Sequence, residues 1–347
     1  MVFQLKCPSC WLLAILCLFS LSYIAGAQSA AKKPTLAAGP EERFLEAKQS
    51  LKAGKIQEGI VILKALESEG RQLQGLSAQL GTAYYRAGEH NQAAPYLRRA
   101  MEEDPANKEV VQLLGLSLFR LGKPAEAIPL LKQVTAWYPV ANVDAAYVLG
   151  LSYIQVQNYD EARKAFAVMY GVPEASAASH LFLARMLLRQ GYDPIAEENA
   201  QKAVALDPKL PLAHYLLGEL YMFKSNLPQA IQEFEKEIQL NPGFAGTYDR
   251  LGDAYTRDGR FDDAQRMLQR SVVLDANSTG PYILLGKVLL KKNDPKTALM
   301  YLERAVQMDP NNFITHHLLG QAYRGVGQES DAERELKRAE ELQRQKP

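Results

Sequence analysis

A small residue recurs at a nearly constant interval along this chain. From Gly81, steps of 34 or 35 residues reach Gly115, Gly150, Ala184, Gly218, Gly252, Gly286 and Gly320, and only the step to Gly150 is the longer one. Self-similarity at such a period marks a solenoid, because a single unit cannot bury its apolar face and each must stack on its neighbours. A length of 347 residues would ordinarily suggest two domains, but the repeat makes one continuous array.

The unit from Pro211 to Phe244 shows what one period has to do. Ala213, Leu216, Leu217, Leu220 and Tyr221 step by three and four, as do Ala230, Ile231, Phe234 and Ile238. Ser225-Asn226-Leu227-Pro228 separates the two runs, with proline near the start of the second, where its missing N–H costs nothing. Asn241-Pro242 ends the second run, since the residue before proline is pushed out of the α region. Each unit is therefore predicted to be an antiparallel helix pair. The small residues Gly218 and Ala230 allow its two helices to approach closely.

The order of residues resembles the tetratricopeptide repeat: an aromatic, Leu-Gly, Tyr, Ala, a large apolar residue, Ala and Pro. One unit reads Tyr248, Leu251-Gly252, Tyr255, Ala264, Leu268; the next reads Tyr282, Leu285-Gly286, Ala298, Leu302, Ala305, Pro310. Upstream stand Leu80-Gly81, Tyr84, Ala93, Leu97, Ala100, Pro105, then Leu114-Gly115, Ala127, Leu131, and His180, Leu183-Ala184, Ala196, Ala203, Pro208. The resemblance implies an all-α fold, a right-handed α-solenoid of about nine 34-residue helix-turn-helix units. The units are 40–73 (degenerate), 74–107, 108–141, 143–176, 177–210, 211–244, 245–278, 279–312 and 313–346. Some positions depart from the pattern. His180, His214 and His316 stand where the family prefers Trp, Glu237 replaces the second Ala of its unit, and an extra residue near Asn142 makes that joint the expected irregularity.

Residues 1–27 are of another kind. Lys6 precedes an apolar run from Trp11 to Ile24, and Ala25-Gly26-Ala27 offers small residues for cleavage, which predicts a secretory signal peptide cut after Ala27. The run is shorter than the roughly 20 residues a membrane-spanning helix needs, so an uncleaved anchor is the weaker reading and no stable membrane span is expected after cleavage. Cys7, Cys10 and Cys17 all lie in this leader, so the mature chain must rely on helix packing without disulfides. A secreted, bacterial periplasmic location is the expectation. Residues 28–39 are small, polar and proline-containing, and read as a flexible linker.

Composition narrows the partners. Net charge is +1, and losing Lys6 with the leader leaves the two signs equal, which gives no support for nucleic acid. His316 and His317 are adjacent, so on a helix they point to different sides and cannot act as an i, i+4 metal pair. Glycines such as Gly88, Gly122, Gly191, Gly259 and Gly327 recur once per unit as helix caps and form no phosphate-cradling loop. No nucleophile sits in a strand-turn-helix elbow. No catalytic residue, metal or cofactor is expected, and the chain is predicted not to be an enzyme.

What remains is the concave face. In tetratricopeptide arrays the first helices line an inner groove, and the resemblance places Tyr147, Leu151, Ile154, Leu181, Arg185, Leu188, Arg189, Tyr215, Glu219, Met222 and Phe223 there. Toward the C-terminus the same positions turn polar, with Asp249, Asp253, Arg257, Lys287, Lys291, His317 and Arg324. Apolar anchors beside charges suit a protein or peptide ligand. The Lys and Asn clamp with which some family members hold chaperone C-termini is missing. The expected function is a scaffold or adaptor of the cell envelope, as in an envelope assembly complex; the alternative is a chaperone-like receptor for unfolded chains in the periplasm or endoplasmic reticulum lumen.

Overall fold

A computed structural model describes residues 39–345 except 72, 139–142 and 192. The leader, linker residues 28–38 and the joint at Asn142 lie outside the described residues. Among the described residues eighteen helices follow one another in pairs. The first three pairs are α1 Pro40–Lys52 with α2 Ile56–Ser68, α3 Leu76–Arg86 with α4 His90–Glu103, and α5 Lys108–Arg120 with α6 Pro124–Trp137. Next come α7 Val143–Gln155 with α8 Tyr159–Tyr170, α9 Ala177–Leu188 with α10 Asp193–Leu206, and α11 Ala213–Phe223 with α12 Leu227–Leu240. The last are α13 Ala245–Arg257 with α14 Phe261–Leu274, α15 Thr279–Lys291 with α16 Pro295–Met308, and α17 Phe313–Gly325 with α18 Glu329–Arg344. The all-α solenoid is thus nine helix pairs long.

The periodic small residue is where the helices of a pair touch. A Cβ on Gly218 would lie 2.5 Å from the Phe234 ring, and one on Gly286 would lie 2.4 Å from Leu302. Both large partners are fully buried and close-packed, so they cannot step aside. In the fifth pair Ala184 replaces the glycine, and the residue sixteen further on is Ala200 instead of Leu or Phe; both are fully buried. The volume added on one helix is removed from the other. The first pair, expected to be degenerate, keeps the close approach with the small residues exchanged. Ala47 stands on its first helix and Gly59 on its second, where a Cβ would lie 2.6 Å from Leu51.

Each first helix ends through a residue in the left-handed region, and in six of the pairs it is glycine. Gln157, Ser225 and Asn293 adopt the same conformation in the other three, at φ 59, 57 and 59°. The turn closes in the same way in either case: Asn226 N–H donates to Tyr221 C=O at 2.8 Å, as Glu89 does to Tyr84 at 2.9 Å.

The interior is a series of packed blocks rather than one centre. The largest runs from Ala93 on α4 to Leu220 on α11, with smaller ones over α1–α3, α11–α15 and α15–α17. Among the described residues no helix is long and apolar enough to cross a membrane.

Candidate functional site

The expected groove residues Tyr215, Glu219, Met222 and Phe223 all lie on α11, whose start is unusual. Leu212 precedes it in the left-handed region at φ 67° and has no capping side chain of its own. Glu237, on α12, supplies the cap: one carboxylate oxygen accepts Leu212 N–H at 3.0 Å and the other accepts Tyr215 N–H at 3.3 Å. Glu237 is fully buried, and both of its oxygens accept N–H groups at the positive end of the helix it caps. The departure from Ala at this position is therefore a local replacement for an N-cap.

His214 is held in the same way. Its Nδ1 lies 2.5 Å from a Glu233 carboxylate oxygen and its Nε2 lies 3.2 Å from the Pro208 carbonyl. His316 repeats the arrangement with Glu335 at 2.7 Å and the Pro310 carbonyl at 3.0 Å, and Nδ1 of His180 meets Asn199 at 2.9 Å. In the intervening units Tyr248 and Tyr282 donate their hydroxyls to the equivalent carbonyls, of Pro242 and Ala276. His214 and His316 thus tie a helix pair to the preceding turn, and His180 ties the two helices of its own pair.

With its start fixed, α11 presents Tyr215, Glu219, Met222 and Phe223 along one side. The Tyr215 ring packs edge-on to Phe244 and tilted against Phe234, with centroids at 5.4 and 5.9 Å. Its hydroxyl donates to Glu219 at 3.0 Å, and Arg250 of α13 pairs with the same carboxylate at 3.2 Å. Burial, reinforced by the Glu219 charge, pushes the Tyr215 phenol up to about 12. Tyr215 is thus a fixed part of the wall. Phe223, about two turns on, is 66% exposed.

Between α9, α11 and α13 lies an open hollow of about 400 Å³ lined by Leu188, Glu219, Met222, Phe223, Ser225, Arg250, Asp253 and Arg257. Its far edge is stiffened by a two-point fork from Arg257 to Asp253, at 3.2 and 2.7 Å. Asp249, one turn before Asp253, is largely enclosed; burial pushes its carboxyl up, and one of its oxygens has no hydrogen-bond partner.

The structure narrows the expected set of groove residues. Ile154 is fully buried and Leu181 is 9% exposed, so both are packed between helices and closed to a partner. Both belong to the largest core block, packed among its other apolar side chains. Tyr147 and Leu151 are half-buried against that block, Tyr147 with its ring 6.4 Å from Phe166. Met222 is 8% exposed and reaches the hollow with an edge only. Arg185 and Arg189 are exposed, and Leu188 between them lines the hollow. Ser225 and Arg250 were not anticipated. Ser225 belongs to a turn, and Arg250 reaches the site by laying a long side chain back toward α11, which no repeat position encodes.

Comparison with known proteins gives the following. The family model described as Tetratricopeptide repeat matches residues 147–211, 183–243 and 250–313, and a second model of that description matches 289–347. The model described as Anaphase-promoting complex, cyclosome, subunit 3 matches 86–169. Vi polysaccharide export protein VexE of Salmonella typhi is 32% identical over 149 residues, covering 42% of this chain; the chain spans only 22% of that protein. Among solved structures, pilF of Pseudomonas aeruginosa is 20% identical with a TM-score of 0.48, covering 59% of this chain and 97% of that one. YrrB, described as a TPR protein with an unusual peptide-binding site, is 22% identical with a TM-score of 0.46, covering 54% and 94%.

Proposed function

Because this chain belongs to the tetratricopeptide repeat family, whose models match more than half of it, we propose that it is a non-enzymatic scaffold that holds another protein by a peptide segment in its concave groove. One observation carries the reading: the hollow between α9, α11 and α13, with Phe223 66% exposed at its edge. An exposed aromatic beside an open, partly apolar recess is the usual signature of a docking point, because covering it removes apolar surface from water. Charged side chains around it are already paired, as with Glu219–Arg250 and Asp253–Arg257, so a ligand can use them for orientation without desolvating free charges. The matched family models describe no catalytic activity.

A place in the bacterial envelope, as a component of an assembly complex, is part of the proposal. It is supported by the leader-like sequence at 1–27 and by the likeness of part of the chain to an export protein. The test is site-specific photocrosslinking in cells, with a benzophenone side chain at Phe223 or at Met300, which is 70% exposed on α16. Position 223 should trap one or two partners that position 300 does not. Capture at 300 alone would remove the groove from consideration, and a broad set of unrelated unfolded chains at 223 would favour the chaperone-like alternative.

A further inference from the structure

The last turn of each first helix carries a second repeating feature. At the thirteenth position six of the nine units carry a cation, Lys52, Arg86, Arg120, Arg189, Arg257 and Lys291, along the rim of the groove, while the fourth unit has Gln155 and the ninth Gly325. A cation here complements the negative end of its helix, which accounts for the row. It does not account for two further facts. Among the described residues, only Arg257 of the six has a carboxylate partner, and the others are exposed with no ion pair there, although the chain as a whole is close to neutral. In the sixth unit the position is held by Phe223, which neither complements the helix nor buries its ring.

Building on the groove as the docking site, we propose that this rim selects an extended acidic segment of a partner protein that carries one large apolar side chain. The apolar side chain sits on Phe223 and Leu188, over the hollow. Carboxylates on either side meet the unpaired cations, Arg189 on one flank and Lys291 on the other. Packed helices lie about 10 Å apart, and an extended chain advances about 3.3 Å per residue. One unit of the rim therefore corresponds to about three residues of ligand. Arg189 is one unit from Phe223 and Lys291 two units, so the expected pattern is a carboxylate about three residues to one side of the anchor and another about six to the other. The Asp253–Arg257 pair lies between anchor and Lys291, where the segment needs no charge.

The experiment is selection of a random twelve-residue peptide library on the full chain at about 0.1 M salt, in parallel with Phe223→Ser. Both variants used here replace exposed side chains, and circular dichroism verifies that they keep their helices. Peptides lost on Phe223→Ser should share an apolar residue flanked by Asp or Glu at those two distances. A labelled synthetic peptide of that pattern should bind about tenfold more weakly to Arg189→Glu and weaken with added salt; its lysine-for-acid counterpart should not bind. Peptides lost on Phe223→Ser but showing no acidic preference would overturn the inference and leave the groove reading standing. Peptides equally well held by Phe223→Ser, or none enriched over empty support, would overturn both.

Discussion

Among the described residues three of the turns that close a first helix pass through a left-handed residue that is not glycine, Gln157, Ser225 and Asn293, and they are not equivalent. An L-residue there brings its Cβ against the following carbonyl, at a cost of about 1–2 kcal/mol that asparagine partly escapes. Gln157→Gly should therefore raise stability by about 0.5–1 kcal/mol after the entropy of glycine is counted, and Asn293→Gly by less; chemical denaturation of the two variants measures the difference. Glu67 makes a second residue-scale case. Its carboxylate accepts from Lys64 at 2.7 Å, Tyr96 at 2.8 Å and Arg99 at 2.9 Å, which joins α2 to α4. Burial pushes this carboxyl up, but those three hydrogen bonds outweigh it and hold it at about 2. Its folded value is depressed, so its contribution is fully present above the ordinary carboxylate range near 4.5 and is lost as pH falls toward 2. Glu67→Gln should flatten the acid limb of stability in that window, read by circular dichroism between pH 5 and about 2. Neither effect is visible in the sequence, because a Gln in a turn and a Glu on a helix face look ordinary until their neighbours are known.

At the scale of the element, the departures from the repeat pattern are the informative positions. Glu237 stands where the pattern has Ala, and it caps α11 from the neighbouring helix. Glu237→Ala should leave those two N–H groups unpaired and cost about 1–2 kcal/mol. The loss should appear as faster hydrogen exchange at the amides of Leu212 and Tyr215, with the far helices unchanged; equal protection would mean that water or a shifted backbone replaces the cap. His214 with Glu233 and His316 with Glu335 are departures of the same kind, each nineteen residues apart, as are His180 and Asn199. That spacing could have been read from the sequence as a paired substitution. The direction of Glu237 toward a helix start could not, since it depends on how α12 rotates against α11.

For the whole molecule, a solenoid has no single centre to melt. Its apolar interior falls into blocks, of which the stretch from α4 to α11 is the most extensive, and every contact is with a near neighbour. Native-state hydrogen exchange should therefore be graded: α18 and α1 open first, then α15–α17, and the helices from α5 to α9 last. One common opening free energy for all helices would contradict this picture. The fold class, the nine units and the pairing of helices were legible in the sequence alone. The reason is physical: a period of 34 residues with a small residue where two helices cross leaves only one way to bury each apolar face. Which groove positions reach solvent was decided by tertiary structure. Ile154 shares its repeat position with Met222, and Leu181 with Tyr215; Ile154 is fully enclosed while Met222 keeps an edge on the hollow, and Leu181 is buried while Tyr215 stays half-buried. Position in a repeat fixes only an average direction around the helix. How far each side chain is enclosed is set by the packing of its pair on the neighbouring pairs, which the repeat position does not specify.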